Sequence, residues 1–293
     1  MQNSPTPKVS VVIPTINAEQ YLEDILCVLE SQTYKPLEIL VVDSGSIDAS
    51  QKISESHDLV EFISMGKDCF DHAKTRHGAI LRAKGDFVFF LTQDAVPSNM
   101  SYIADMLAAF KDSEVALCYA RQIPRSDHPK YVKLVWDFNY PNTSCTKSMD
   151  DLETLGIKTF FCSNAASAYR KSAYLECGGF KFPSDTNEDM LMAATLIHKG
   201  HKVAYVANAT VTHSHNFSFK QQYKRNFLIG KFLSENSKLL ESTSATAEGK
   251  KLFKSIAGKL LKQGNLAQLF LFTKDCTARY FGQKAGKSAL QKA

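Results

Sequence analysis

The sequence predicts an α/β protein, a mainly parallel open sheet flanked by helices and followed by a helical C-terminal extension. Three observations predict it. Short apolar runs alternate with helix-period segments through the first half of the chain, the pattern of βαβ units. Three of those runs pass directly into polar clusters at their carboxyl ends, where open α/β sheets bind ligands. Beyond Ser218 every segment has helical periodicity.

Val9–Ile13 is the first buried strand, and Ala18–Gln32 follows as a helix with Tyr21, Leu22, Ile25, Val28 and Leu29 at helical spacing. Leu37–Val42 is the second strand, and Asp48 is placed to cap the helix after it. Leu59–Met65 is a third strand, Asp71–Lys84 a helix, and Asp86–Leu91 a central strand that exits through Thr92-Gln93-Asp94-Ala95. Ser98–Phe110 is helical and Val115–Ala120 is a strand. From Arg121 to Thr159, with Pro124, Pro129 and Pro141, the periodicity fails, and a long irregular segment of the lid or substrate-loop kind is expected. Trp136, Phe138 and Tyr140 alternate within it, either as an aromatic face for sugars or as the core of a small subdomain. Order resumes at Phe160–Tyr169, followed by a helix over Asp185–Lys199 and strands over Lys202–Val206 and Thr210–His215.

With 293 residues the chain accommodates one large domain, or one domain with an appendage. The expected boundaries are a flexible, Pro-rich N-terminus over 1–7, the α/β domain over 8–217, and a basic helical extension over 218–293. Apolar content of 44% and charged content of 22% exclude wholesale disorder. The net charge of +5 is uneven, since the stretch from Glu241 onward holds ten Lys/Arg against three Asp/Glu. Seven scattered cysteines without a C-x-x-C pair read as reduced core residues of a cytoplasmic protein. No apolar window is long enough to span a membrane, so any membrane association is expected to be peripheral.

The polar clusters after strands are Pro14-Thr15-Ile16-Asn17, Asp43-Ser44-Gly45-Ser46 and Thr92-Gln93-Asp94-Ala95. Neither G-x-G-x-x-G nor G-x-x-x-x-G-K-[ST] occurs, which argues against a dinucleotide dehydrogenase and a P-loop phosphotransferase. A pyrophosphate held without a glycine cradle needs other neutralisation, such as a metal on Asp94 together with basic side chains. His213 and His215 alternate along one strand face and are candidates to join that metal, while Glu188 and Asp189 open an apolar helix.

Val11-Val12-Ile13-Pro14-Thr15-Ile16-Asn17, Ser31-Gln32-Thr33, the run Glu38 to Asp48, Ala83-Lys84-Gly85-Asp86 and Asn187-Glu188-Asp189 together resemble the family-two inverting glycosyltransferases of the GT-A fold. The resemblance covers about residues 8–235 and keeps motif order. Phe70 to Arg76, Leu91 to Pro97, and Thr212 to Asn216 followed by Ser218-Phe219 are similar to bacterial rhamnosyltransferases that use dTDP-L-rhamnose. The resemblance implies a nucleotide-sugar site built from Pro14, Thr15, Asn17, Asp43, Ser44, Lys74, Arg76, Gln93 and Asp94, with Asp43 accepting the N3–H of thymine or uracil. A turn or helix-capping role is the competing reading of Asp43. Lys74 and Arg76 lie two apart and diverge by about 200° on a helix, so only one is expected at the diphosphate, and Arg76 has the better phosphate geometry.

The resemblance further implies Mg²⁺ or Mn²⁺ held by Asp94 with His213 or His215, although Thr92 and Ala95 stand where the family commonly has carboxylates. It implies Asp189 as the general base that deprotonates the acceptor hydroxyl, with Glu188 orienting the base or the acceptor. A donor such as dTDP-rhamnose or a UDP-sugar and a saccharide or polyprenyl-linked saccharide acceptor follow as partners, and no nucleic acid is expected. A transferase of a UDP-hexose or UDP-N-acetylhexosamine, and a non-catalytic nucleotide-sugar-binding subunit, are the rival functions.

In the tail, Glu248–Gln263 sets Leu252, Phe253, Ile256, Leu260 and Leu261 on one side with five flanking lysines. That pattern suits the surface of an anionic cytoplasmic membrane, packing on the protein's own domain, or a homodimer through the C-terminal helices.

Overall fold

The computed structural model describes residues 6–66, 70–241 and 243–290. The expected flexible N-terminus falls outside these up to residue 5, as does Cys69. Four parallel strands open the chain, β1 (Val9–Thr15), β2 (Glu38–Asp43), β3 (Val60–Ser64) and β4 (Phe87–Leu91). Between them run α1 (Glu19–Glu30), α2 (Ser50–Glu55) and α3 (His72–Arg82). All residues of β2 and β4 are buried, which is why they read as unbroken apolar runs. Asp71 caps α3, its carboxylate accepting from the Lys74 N–H at 2.7 Å.

The remaining strands are β5 (Val96–Pro97), β6 (Val115–Ile123), β7 (Cys145–Lys147), β8 (Ala166–Arg170) and β9 (Lys202–Thr212). Among the described residues they complete one sheet in the order β3-β2-β1-β4-β8-β6-β9-β5, with β7 on β9. Strand β8 is antiparallel to both β4 and β6, whereas β6 and β9 are parallel. The two strands expected over Lys202–His215 are one strand, because a register shift between Ala120 and Arg121 lets β9 continue past it. It ends at Thr212, so His213 and His215 lie just beyond the strand rather than along its face.

Alternate residues of the sheet feed two cores. Val9, Val11, Ile13, Phe89 and Leu91 pack with Leu22, Ile25 and Leu29 of α1 and with α4 (Tyr102–Ala108) on one side. Val12, Leu40, Val88 and Phe90 pack on the other with α3, α7 (Lys171–Glu176) and α8 (Glu188–His198).

The segment expected to be irregular holds α5 (Lys130–Asn139), strand β7 and a short α6 (Leu152–Leu155). Pro129 stands at the N-cap of α5, a start signal rather than a break. Trp136 and Phe138 are therefore helical residues, and Tyr140 is buried at the helix end.

Helices α9 (Phe219–Glu235), α10 (Ala245–Lys262) and α11 (Leu266–Leu290) form the C-terminal part. No helix among the described residues is long and apolar enough to cross a membrane. The apolar side of α10 is turned inward: Ile256, Ala257 and Leu260 are buried with Val135 of α5 and Phe272 of α11, and Phe253 stacks on Phe272. That face is spent on the chain's own core. Helices α9 and α11 cross so closely that a Cβ on Gly286 would overlap the Phe227 carbonyl oxygen. Gly286→Ala is expected to cost about 1–3 kcal/mol, as overpacking does, read as a lower midpoint in urea unfolding.

Candidate active site

The loops at the carboxyl ends of β1, β2 and β4 are stitched to one another. Asp43 accepts from Thr15 Oγ1 at 3.2 Å and from the Gly45 and Ser46 N–H groups at 2.9 and 2.8 Å. The Ser46 hydroxyl also donates to Asp43 and accepts from the Asn17 N–H at 2.7 Å. Asn17 sits in the left-handed region at φ 49, and its Oδ1 accepts from the Ile47 N–H at 3.0 Å. The Gln93 amide accepts from Ile16 N–H at 2.7 Å and donates to Ile16 C=O at 3.0 Å.

Two of the residues expected to touch donor are thus braces of the loop framework. Gln93 has both ends of its amide on Ile16 backbone, and Asn17 ties the β1 loop to the β2 loop. Ser44 differs, because its hydroxyl is buried with no partner among the described residues. Pro14 is half-buried beside the buried Thr15 at the end of β1.

Beyond β4 the edge opens into a cavity of about 400 Å³, in the range of small-ligand sites. Arg76, Glu188, Asp189, His213 and His215 all line it. Asp94 stands directly behind the two histidines, with Oδ1 at 3.4 Å from His213 Nε2 and Oδ2 at 3.7 Å from His215 Nδ1. Asp43 and Thr15 lie farther along the same edge, outside the cavity wall.

The His213 ring is oriented from behind. Gln122 donates through Nε2 to Ser163 Oγ at 2.9 Å, which turns its Oε1 toward His213 Nδ1, also at 2.9 Å. Nδ1 therefore carries the proton, and Nε2, buried without a hydrogen-bond partner, faces Asp94. Trp136 donates to the His213 carbonyl at 3.1 Å. Arg125 binds the Asp94 and Ser214 carbonyls at 2.8 and 3.2 Å, with its guanidinium over the Tyr21 ring. The donor atoms of Asp94, His213 and His215 all lie within 4.8 Å of one another, a carboxylate and two imidazoles that suit Mn²⁺ or a similar divalent ion. Burial works to raise the Asp94 carboxyl, but the imidazoles of His213 and His215 beside it hold it down at about 2. Burial and the neighbouring His213 lower His215 to about 4. At neutral pH Asp94 is ionised and His215 carries a free lone pair.

Across the cavity, Asp189 occupies the first turn of α8. Its oxygens accept from the Asn164 N–H at 2.9 Å and the Met190 N–H at 2.7 Å. Burial and then the adjacent Glu188 charge raise its pKa above the ordinary carboxylate value, more than these hydrogen bonds and Arg76 lower it. Glu188 is buried, accepts from Asn164 Nδ2 at 3.1 Å, and pairs with Arg76 at 3.2 Å. Arg76, expected to meet the donor diphosphate, lines the cavity; its Nη1 is held by Glu188 and the His72 carbonyl, while its Nε is buried with no partner among the described residues. Lys74, on the divergent side of α3, is exposed and is not part of the cavity wall.

Sequence patterns gave no sign of Asn164, Gln122 or Arg125, single polar residues from separate segments. Nor did they show that α9 and α11 complete the wall with Arg225, Asp275 and Arg279. Arg225 has its guanidinium over the Phe217 ring, and among the described residues it has no carboxylate partner.

A crevice at the carboxyl ends of parallel strands, faced by buried acidic side chains, is the ligand site of the α/β class. The chain is a glycosyltransferase and belongs to glycosyl transferase family 2, whose model matches residues 10–178. It is 34% identical to the O-antigen chain rhamnosyltransferase RfbN of Salmonella typhimurium, over 96% of this chain and 90% of that protein. With the O-antigen chain rhamnosyltransferase WbaN of Salmonella anatum the identity is 35%, again over 96% and 90%. In fold it is similar to the mannosyltransferase PcManGT of Pyrobaculum calidifontis in complex with GDP-Man and Mn²⁺, with a TM-score of 0.64 at 16% identity, covering 98% of this chain and 87% of that one. The S. aureus TarS 1–349 structure in complex with UDP-GlcNAc gives a TM-score of 0.58 at 14% identity, covering 96% and 92%. These likenesses establish a GT-A glycosyltransferase fold.

Proposed function

We propose that this glycosyltransferase moves L-rhamnose from dTDP-L-rhamnose to a lipid-linked saccharide acceptor in cell-surface polysaccharide synthesis, with inversion at the anomeric carbon. The observation that carries the reading is the 34–35% identity to two O-antigen chain rhamnosyltransferases across 96% of the chain. That span extends past the family match to include Glu188, Asp189 and both histidines.

In this reading the β1, β2 and β4 loops take the nucleoside, with the unpartnered Ser44 hydroxyl toward the pyrimidine and the Asp43 carboxylate, filled by Thr15, Gly45 and Ser46, fixing the loop that carries it. Asp94, His213 and His215 hold a divalent ion. When bound, that ion neutralises charge on the diphosphate. Arg225, the cation on the opposite wall without a carboxylate partner, supplies the positive charge first assigned to Arg76. Asp189 accepts the proton of the acceptor hydroxyl, and the Asn164 N–H fixes the direction of its carboxylate. Glu188 and Arg76 hold the start of α8 in place. Residues 8–217 carry donor and base, and the helices of 218–293 close the acceptor side. The enzyme acts in the cytoplasm, on acceptors presented at the membrane face.

The test is a thermal-shift panel of dTDP-L-rhamnose, UDP-sugars and GDP-sugars with and without Mn²⁺. A ligand at about 100 times its Kd stabilises the native state by about 2.7 kcal/mol. The largest rise in melting temperature is expected for dTDP-L-rhamnose with Mn²⁺. A larger rise with a UDP- or GDP-sugar refutes the donor assignment.

A further inference from the structure

The inward face of α10 leaves its usual partner surface fully used, but α11 presents a second, unpartnered face. Leu266, Phe270, Tyr280 and Phe281 are 67%, 70%, 53% and 53% exposed. With Lys274 and Lys284 they fall within about 120° of one side of the helix, at about 100° per residue. Leu261, 56% exposed at the end of α10, extends the apolar stripe at its Leu266 end. Four large apolar side chains directed outward from one helix exceed what scattered surface hydrophobics supply.

Charge decides what covers this face. Helices α10 and α11 contain two acidic residues, and both are turned inward into ion pairs: Glu248 with Lys158 at 2.8 Å, and Asp275 with Arg279 at 2.6 Å. The outer side keeps the exposed Lys254, Lys259, Lys262, Lys274 and Lys284. A two-fold contact between copies of this chain would bring Lys274 and Lys284 against their own counterparts, with no carboxylate on the stripe to pair them. An anionic bilayer surface meets both needs, accepting aromatic and leucine side chains at headgroup depth and lysines at phosphate level.

We propose that the outer face of α11 docks the enzyme on anionic phospholipid, with Phe270 and Phe281 as apolar anchors and Lys274 and Lys284 as electrostatic contacts. Asp275 and Arg279 project from the opposite side of the same helix into the cavity wall. Docking therefore sets the cavity about one helix diameter, some 10 Å, from the lipid surface. The benefit of that placement rests on the lipid-linked acceptor of the proposed function, whereas the surface itself does not.

Flotation of the full chain with vesicles, in the absence of donor, tests the proposal. Binding to phosphatidylglycerol-containing vesicles, weakened by salt and absent on pure phosphatidylcholine, is expected. Phe270→Ser with Phe281→Ser, and separately Lys274→Glu with Lys284→Glu, are each expected to lower binding by about tenfold or more, with unchanged melting temperature and unchanged turnover on a water-soluble acceptor. If the phenylalanine pair misfolds, the lysine pair carries the test. Absence of wild-type flotation at low ionic strength, or unchanged flotation in the folded variants, overturns the proposal. A dimer in light scattering that the Phe270→Ser, Phe281→Ser protein loses also overturns it, in favour of self-association. Because vesicle binding is read without sugar transfer, a failed donor panel and a failed flotation are separate results.

Discussion

Asp189→Asn is expected to lower turnover by about 10²–10⁴-fold, the range of a lost general base, while donor binding changes little. The asparagine still offers one acceptor to the Asn164 N–H but takes no proton from an attacking hydroxyl. Initial rates alongside a donor titration separate the two effects, and wild-type turnover in the variant would remove the assignment. The wild-type pH profile supplies a second reading of the same residue. Burial and Glu188 raise the Asp189 pKa, so the ionised, working form is lost as pH falls through that raised value. The acidic limb of log kcat should have its midpoint above the ordinary aspartate value of about 3.9, and a limb at or below that value would contradict it.

Arg76→Met is the second large effect, and it appears in stability. Arg76 and Glu188 have side chains only 5% and 8% exposed, with 3.2 Å between them. Removing the guanidinium strands a buried carboxylate next to Asp189, at a cost of about 3–5 kcal/mol. Urea unfolding measures it, and the added change Glu188→Gln should recover most of the loss by removing the stranded charge. A cost below about 1 kcal/mol, the value of a solvated pair, would show that Glu188 is not confined as the structure has it.

Those two residues also show how far the sequence could be read. Asp94, Glu188, Asp189 and the histidines were readable because each stands at the end of a strong local signal, a buried strand or the start of an apolar helix. The partners of Arg76 were not, since Glu188 lies more than a hundred residues away and periodicity carries no information about which distant charge a buried arginine meets. Helix α5 was missed for a different reason. Tyr131, Leu134, Val135 and Phe138 have helical spacing, but nearby prolines mask it, since a proline marks a break and a helix start alike and Pro129 begins the helix. The apolar side of α10 was recognised, while its partners, Val135 and Phe272, could not be, because amphipathic spacing describes a face and not what covers it.

The two loops that carry Asp94 and the histidine pair meet beside the cavity only if the sheet order places β4 and β9 as it does. Anomalous X-ray diffraction from crystals grown with Mn²⁺ and a nucleoside diphosphate tests that convergence most directly. A single strong manganese peak within coordination distance of Asp94 Oδ, His213 Nε2 and His215 Nδ1, on the diphosphate, is the predicted result. A peak at Glu23, Cys27 and His57, the other such cluster among the described residues, with none beside Asp94, would contradict it.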